Sequence, residues 1–351
     1  MLLIDAHLDL SMNSINWDRN LDLSVQEIRE AEAHMTEKGR GKGTVTLPEL
    51  RRAEIALCLA TVIDRTARPG SPATGSACQE ISCAKARGQM AYYRVLEAQG
   101  KVRILEDFGA VSDHLSRWQR DPANEPLGFI LAMEGADPIA WPEQVVEWYE
   151  MGMRVVGPSH YGVSAYSYGT GTEGGMTDAG RVLLREMDAV GMILDLTHLA
   201  EQAFWEALDQ FTGPVLASHN NCRALVPGDR QFSDDQIRAI AQRGGVIGAA
   251  CDAWMLYPGW VIGETDNSVV DMTAVVDHID HVCQVTGCAD HVGIGSDLDG
   301  GYGTEQCPSD LDTIYDLQKI PALLEARGYS QADVEQIMHG NWIRYFEAAW
   351  G

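Results

Sequence analysis

Two stretches of the 351-residue chain end on histidine in the same way: Met192-Ile-Leu-Asp-Leu-Thr-His198 and Pro214-Val-Leu-Ala-Ser-His219. An imidazole closing an apolar run can hold a divalent cation or move a proton. The pattern of an apolar run closed by a charged or ligating side chain recurs. It appears at Leu2 through His7 and Asp9, Leu127 through Glu134, Arg154 through His160, and His291 through Asp297. A single such histidine is ordinarily a hydrogen-bonded core or surface residue. Several at the ends of successive runs change that reading, because independent accidents rarely share one edge of a sheet. Nitrogen and oxygen donors without thiolate suit zinc, with manganese, cobalt or iron as substitutes. Even three imidazoles and two carboxylates from this set exceed what one catalytic zinc needs. They suit two cations sharing a carboxylate, about 3.5–4 Å apart, and Glu134 is the candidate bridge.

These residues need elements that bring them together. Between His198 and Pro214, residues 200–210 put Ala203, Phe204, Ala207 and Leu208 on one helical face. The unit reads strand, helix, strand, and its two strands must run parallel. Parallel neighbours place both histidines at the carboxyl edge, where α/β proteins build their sites. In extended backbone, His7 and Asp9 point the same way and can grip one ion. Eight strand candidates fall near residues 3, 57, 130, 156, 194, 216, 247 and 293, with a further short strand near Val102, and nearly all precede helical patterns. No linker or composition break divides the chain. The economical architecture is α/β: a single (β/α)8 TIM barrel over residues 1–351, for which about 250 residues is usual. The surplus is assigned to loops at the C-terminal face and extra C-terminal helices, near 310–327 and 330–348.

The net charge of −25, from 51 acidic and 26 basic side chains, disfavours partners made of phosphates. No apolar stretch reaches membrane-spanning length, and Met1-Leu-Leu-Ile-Asp5 lacks a signal pattern. The eight cysteines form no Cys-x-x-Cys, so a reduced, cytoplasmic setting is the simpler reading. Residues 11–50 are the least legible: Ser24 could cap a helix to about Met35, and Gly39-Arg-Gly-Lys-Gly43 reads as a mobile surface loop. A Pro/Gly/Ser loop is expected over 67–75. Gly169-x-Gly171-x-x-Gly174 resembles a dinucleotide fingerprint but lies well past its strand, so it reads as a flexible active-site loop. His34, His114, His278, His281, His291 and His339 fall on or beside helices and receive no role. His278 and His281 read as solvent-facing rather than as another metal site.

Taken jointly, several stretches resemble the membrane (renal) dipeptidase family of amidohydrolase-type metal barrels. They are Asp5-Ala-His-Leu-Asp9, Glu134-Gly135, Gly152-Met-Arg154 through His160, Gly191 through His198, Pro214 through His219, Arg230, Gly293 through Gly300, and Gly340-Asn341. The resemblance implies one zinc held by His7 and Asp9, a second by His198 and His219, and Glu134 bridging them. It also implies that Arg230 holds a dipeptide's terminal carboxylate, that His160 faces the substrate carbonyl, and that Asp297 handles protons. Homodimers are usual in that family. Cys251-Asp-Ala-Trp254 stands where mammalian members carry an Asn-Phe-Tyr type sequence lining the substrate pocket. The end at Trp350-Gly351, without an apolar tail, leads to the expectation of a soluble, bacterial-type member rather than an anchored one.

Each role has its own physical case. A water shared by two zinc ions should ionise near neutrality, since one zinc already lowers its pKa to about 7. Asp297 could take that proton and pass it to the leaving amine. The metals and His160 would stabilise the oxyanion, and Arg230 offers a planar fork matched to a carboxylate. Arg223 is the rival to Arg230 and Asp299 the rival to Asp297; surface pairing and loop bracing are the preferred readings for the rivals. Asp5 and Asp195 are placed as partners that orient imidazoles, or as ordinary buried pairs. The expected activity is zinc-dependent hydrolysis of small dipeptides. Alternatives are a two-metal hydrolase of N-acyl amino acids, lactams or phosphoesters, and a metal-binding scaffold without turnover.

Overall fold

The computed structural model describes residues 1–68 and 74–351; positions 69–73, within the loop expected over 67–75, lie outside the described residues. Among the described residues nine strands form: β1 Leu3–Leu8, β2 Ile55–Val62, β3 Val102–Ile104, β4 Leu127–Glu134, β5 Met153–Gly157, β6 Ile193–Asp195, β7 Val215–Leu216, β8 Ile247–Ala249 and β9 Val292–Ile294. They pair in parallel in the order β7-β6-β5-β4-β2-β1-β9-β8. A parallel bridge between Ala217 and Ile247 brings the two ends of that path together. The result is an eight-stranded parallel barrel, the TIM-barrel architecture expected from the strand count. The extra strand β3 takes the edge of β4 at Leu127–Phe129, and β5 takes over the same edge from Leu131.

Strand residues are buried along β1, β2 and β4, as near-continuous apolar runs require when a sheet is covered on both faces. The covering helices start where their capping residues dictate. Ser24, Thr46, Asp107, Thr177, Ser233 and Asp271 each accept a backbone N–H at a helix start. Gly191 and Gly287 stop their helices in the left-handed conformation. Among the described residues, no helix is long and apolar enough to cross a membrane.

The stretch 11–50 departs from expectation. Ser24 does cap a helix, with a full capping box, but it runs only over Val25–Ala31. The 39–43 turn is not a loose surface loop: it is wrapped around a buried cation. Arg19 places Nε and Nη2 on the two oxygens of Glu32, at 2.8 and 2.9 Å, and gives Nη1 to Asn13 and Asp299 and Nη2 to the Gly39 carbonyl. Glu32 also accepts from Arg40 and the Gly41 N–H. Asp299, from the far end of the chain, accepts from the Thr44 and Val45 N–H groups and the Thr44 hydroxyl. It braces this segment over the barrel mouth, the role preferred for it over proton handling.

Burial alone would raise the Glu32 carboxyl, but the bonds from Arg19, Gly41 and Arg40 outweigh it and hold the group at about 2. A depressed carboxylate contributes stability above its unfolded value, about 4.5, and loses it as pH falls towards 2. Glu32→Gln is therefore expected to cost about 3 kcal/mol at pH 7, the usual penalty for orphaning a buried partner. The gap to wild type should close as pH falls from about 4.5 to 2. Urea titrations across that range measure it; a gap independent of pH would reject the ion-pair account.

Candidate metal and hydrolytic site

Every strand of the barrel except β2 and β8 delivers an expected site residue to one mouth. His7 ends β1 with Asp9 just beyond it, Glu134 ends β4, His160 follows β5, His198 follows β6, His219 follows β7 and Asp297 follows β9. The hub is Glu134 Oε1. It lies 3.1 Å from His198 Nε2, 3.3 Å from His219 Nε2, 3.4 Å from His160 Nε2 and 3.6 Å from His7 Nε2. His7 Nε2 is also 3.8 Å from Asp9 Oδ1 and 3.8 Å from Asp297 Oδ1. Two of these residues, His198 (φ 66°) and Asp297 (φ 57°), take left-handed backbone. That conformation costs a non-glycine residue of order 1 kcal/mol and persists where surroundings impose it, often at working sites.

Among the described residues, three donor groups could each hold a cation: His7, Glu134 and His219; Glu134, His160 and His198; and His7, Asp9 and Asp297. The fit of divalent ions rests on the donors themselves. His7 Nε2 is buried yet has no hydrogen-bond partner, a costly state that a cation would relieve. His198 and His219 bring their Nε2 atoms to 3.1 Å of each other. The opposite ring nitrogens meet hydroxyls: His198 Nδ1 lies 3.0 Å from Thr170 Oγ1, and Ser218 Oγ lies 2.9 Å from His219 Nδ1 and 3.3 Å from His7 Nδ1. An Nδ1–H donating to a hydroxyl leaves the Nε2 lone pair facing inward, as a ligand requires. Asp9 is steadied by a hydrogen bond from the Thr61 hydroxyl.

The local field favours the same state. Burial, then the Arg230 charge, lowers His7 to about 3, and burial drives His160, His198 and His219 well down too. All four imidazoles are thus kept neutral. Burial, then the Asp9 and Asp297 carboxylates, pushes Glu134 well up, and burial, then Asp9 and Asp252, does the same for Asp297. Carboxylates crowded into one dry mouth are balanced by positive charge when cations occupy it.

Arg230 is buried, with Nη1 on Asn220 Oδ1 at 2.5 Å and Nη2 on the His219 carbonyl at 2.9 Å. It lines a cavity of about 210 Å³ together with Asp9, Glu134, His160, His198 and Asp297. Its rival Arg223 instead pairs at the surface with Glu201, at 2.7 Å. Gly300 also lines this cavity; a Cβ there would fall 2.1 Å from Asp297 Oδ1, so only glycine leaves room for that carboxylate.

Several expectations need revision. Among the described residues, Asp5 and Asp195 hydrogen-bond no imidazole ring. Asp5 accepts from the Ser296 N–H and hydroxyl, and Asp195 from the Thr197 and Ser218 N–H groups, so they hold the turns before Asp297 and His219. The 169–174 glycine segment is tied down. Thr170 N–H reaches the His160 and His198 carbonyls, and a Cβ on Gly169 would stand 2.0 Å from the His160 oxygen. His278 is buried rather than solvent-facing, its Nδ1 accepting the Cys222 N–H. His114 is buried too, against the Ala56 carbonyl. Sequence reading passed over Arg65, Tyr161 and Met255, which also line the cavity, and the hydroxyls of Thr170 and Ser218. Arg65 had a signal: with Asp64 it follows directly on the apolar run of β2, as the charged or ligating residues of the other strands do.

The comparisons with known proteins agree with this picture. A family model described as membrane dipeptidase (peptidase family M19) matches residues 1–350. Dipeptidase tcpJ of Claviceps purpurea is 34% identical over 204 residues, which are 56% of this chain and 45% of that protein. Among solved structures, the metallopeptidase dipeptidase AC superposes with a TM-score of 0.81 at 24% identity, covering 100% of this chain and 99% of that one. A metallopeptidase from Rhodobacter sphaeroides, liganded with a phosphinate mimic of the dipeptide L-Ala-D-Ala, gives 0.80 at 23% identity, with the same coverage.

Proposed function

The chain belongs to the membrane dipeptidase family of metallopeptidases, and from that premise we propose that it cleaves the single peptide bond of small dipeptides at a two-zinc centre. His7 and Asp9 would hold one ion, His198 and His219 the other, with Glu134 between them. The observation that carries the reading is the hub: one buried carboxylate oxygen within 3.6 Å of four imidazole nitrogens, one of them otherwise unpartnered. When bound, zinc ions would lower the pKa of an attacking water and polarise the scissile carbonyl.

The chain's own residues supply the rest. Arg230, fixed by Asn220 and the His219 carbonyl, receives the substrate's carboxylate and so sets the distance from that end to the cut bond. Asp297, across from His7, takes the proton of the water and returns it to the departing amine. The proton taken up in the first step is the one handed back in the second. His160 donates from Nε2 to the carbonyl oxygen as negative charge builds there. The small cavity, with an arginine reading a free carboxylate, excludes longer peptides.

Metal analysis of the purified protein and a dipeptide panel of mixed stereochemistry test this. The expected result is two zinc ions per chain, hydrolysis of dipeptides but not tripeptides, and loss of turnover on chelation. Turnover of N-acyl amino acids or phosphoesters with no dipeptide cleaved would reject the assignment.

A further inference from the structure

His160 raises a problem of discrimination. It sits as close to Glu134 as His7, His198 and His219 do, and the geometry alone groups it with His198 and Glu134 as a possible ligand set. Its other nitrogen resolves the matter. The Nδ1 atoms of the other three rings face hydroxyls, which can accept a proton. His160 Nδ1 faces Arg65 Nη1, at 2.9 Å. A guanidinium carries donors only, so Nδ1 must be the acceptor, and the single proton of the neutral ring lies on Nε2. The inward nitrogen of His160 is then a donor, with no lone pair for a metal.

From this we infer that Arg65 is a positioning residue, one that fixes His160 as an Nε2–H donor and so keeps it out of the metal shell and available to substrate. The inference rests on the role proposed above for His160. Arg65 is well placed to act this way because its backbone is clamped. The Ser76 N–H bonds the Arg65 carbonyl at 2.6 Å, and the next residue, Thr66, gives both its N–H and its hydroxyl to Asp137 Oδ2 at 2.8 Å. The His160 ring is held between Tyr161 and His198, with centroids at 4.8 and 4.2 Å, so its plane is set and only its proton remains to be assigned. No other described side chain hydrogen-bonds His160 Nδ1. Without the guanidinium, a proton on Nδ1 would turn a lone pair towards Glu134 and the cations.

The test combines kinetics with a direct view of the proton. In the metal-loaded enzyme, Arg65→Met is expected to lower kcat for a dipeptide about a hundredfold, the cost of one oxyanion donor, with KM little changed. Arg65→Lys, which also offers only donors, should recover most of the loss. In a His160→Ala background, Arg65→Met should cost almost nothing further, because the two residues act as one unit. Nitrogen-15 NMR of histidine-labelled protein should show His160 protonated at Nε2 in the wild type and shifted towards Nδ1 in Arg65→Met. The inference is overturned if Arg65→Met raises KM at unchanged kcat, if its loss persists in full without His160, or if His160 keeps its Nε2 proton. A His160→Ala enzyme with wild-type kcat would instead overturn the catalytic role assigned to His160, while the NMR result still decides what Arg65 does.

Discussion

Glu134→Gln is expected to abolish dipeptide hydrolysis, by at least about 10³-fold, since residues that merely steady a ligand already cost 10–100-fold in affinity or activity. The substitution keeps size and shape while removing the charge that four imidazole nitrogens surround. Its effect on stability should depend on the metal. Without cations, Glu134 is a buried carboxyl crowded by Asp9 and Asp297, and an amide in its place relieves that crowding. With cations, wild type gains stability by mass action as ligand binds only the folded chain. Chelation should therefore lower the melting temperature of wild type and barely move the variant, and zinc content should fall in parallel. A variant that binds two zinc ions normally, or retains activity, would remove Glu134 from the centre of the site.

Asp297→Asn should lower kcat by about 10³-fold, within the 10²–10⁴ range for a lost general acid–base group, while KM and zinc content stay near wild type. The metal measurement matters because Asp297 also groups with His7 and Asp9 as a possible ligand set. A proton-handling residue can be replaced by its amide without losing an ion; a ligand cannot. The acid-side limb of the kcat profile should flatten as well, since the group that must lose a proton is gone. Loss of zinc in this variant would make Asp297 a ligand and leave the proton step to another group.

The barrel and the placement of the strand-end residues were legible for one reason: each lies at the end of an apolar run, and parallel strands put such ends at one edge. His7, Glu134, His198, His219 and Asp297 share a mouth because the chain winds strand after strand in one direction, which periodicity reveals. What was illegible depends on partners far apart in sequence. Arg19 meets Asp299, 280 residues away, and nothing local in residues 11–50 announces it. Thr170 and Ser218 escaped because hydroxyls are everywhere, and only coordinates say which ones face an imidazole. His278 misled because helical spacing shows which residues share a face but not whether another loop covers it; here the Cys222 backbone does. Asp5 and Asp195 misled differently: their carboxylates are taken up by backbone N–H groups and a hydroxyl at strand ends, Ser296 for Asp5 and Thr197 and Ser218 for Asp195, and a single strand's sequence does not show the partners from its neighbours.

The barrel is uneven, and this bears on how it would release bound cations. β2 and β4 are eight residues long, whereas β6 to β9 hold two or three each, and the seam between Ala217 and Ile247 is a single bridge. His198 and His219 stand on the thin side; His7, Asp9 and Glu134 stand on or beside longer staves. Local opening is easiest where few backbone bonds must break. Were two ions held as proposed, the one between His198 and His219, beside the strands of three and two residues, would be expected to leave before the one at His7 and Asp9.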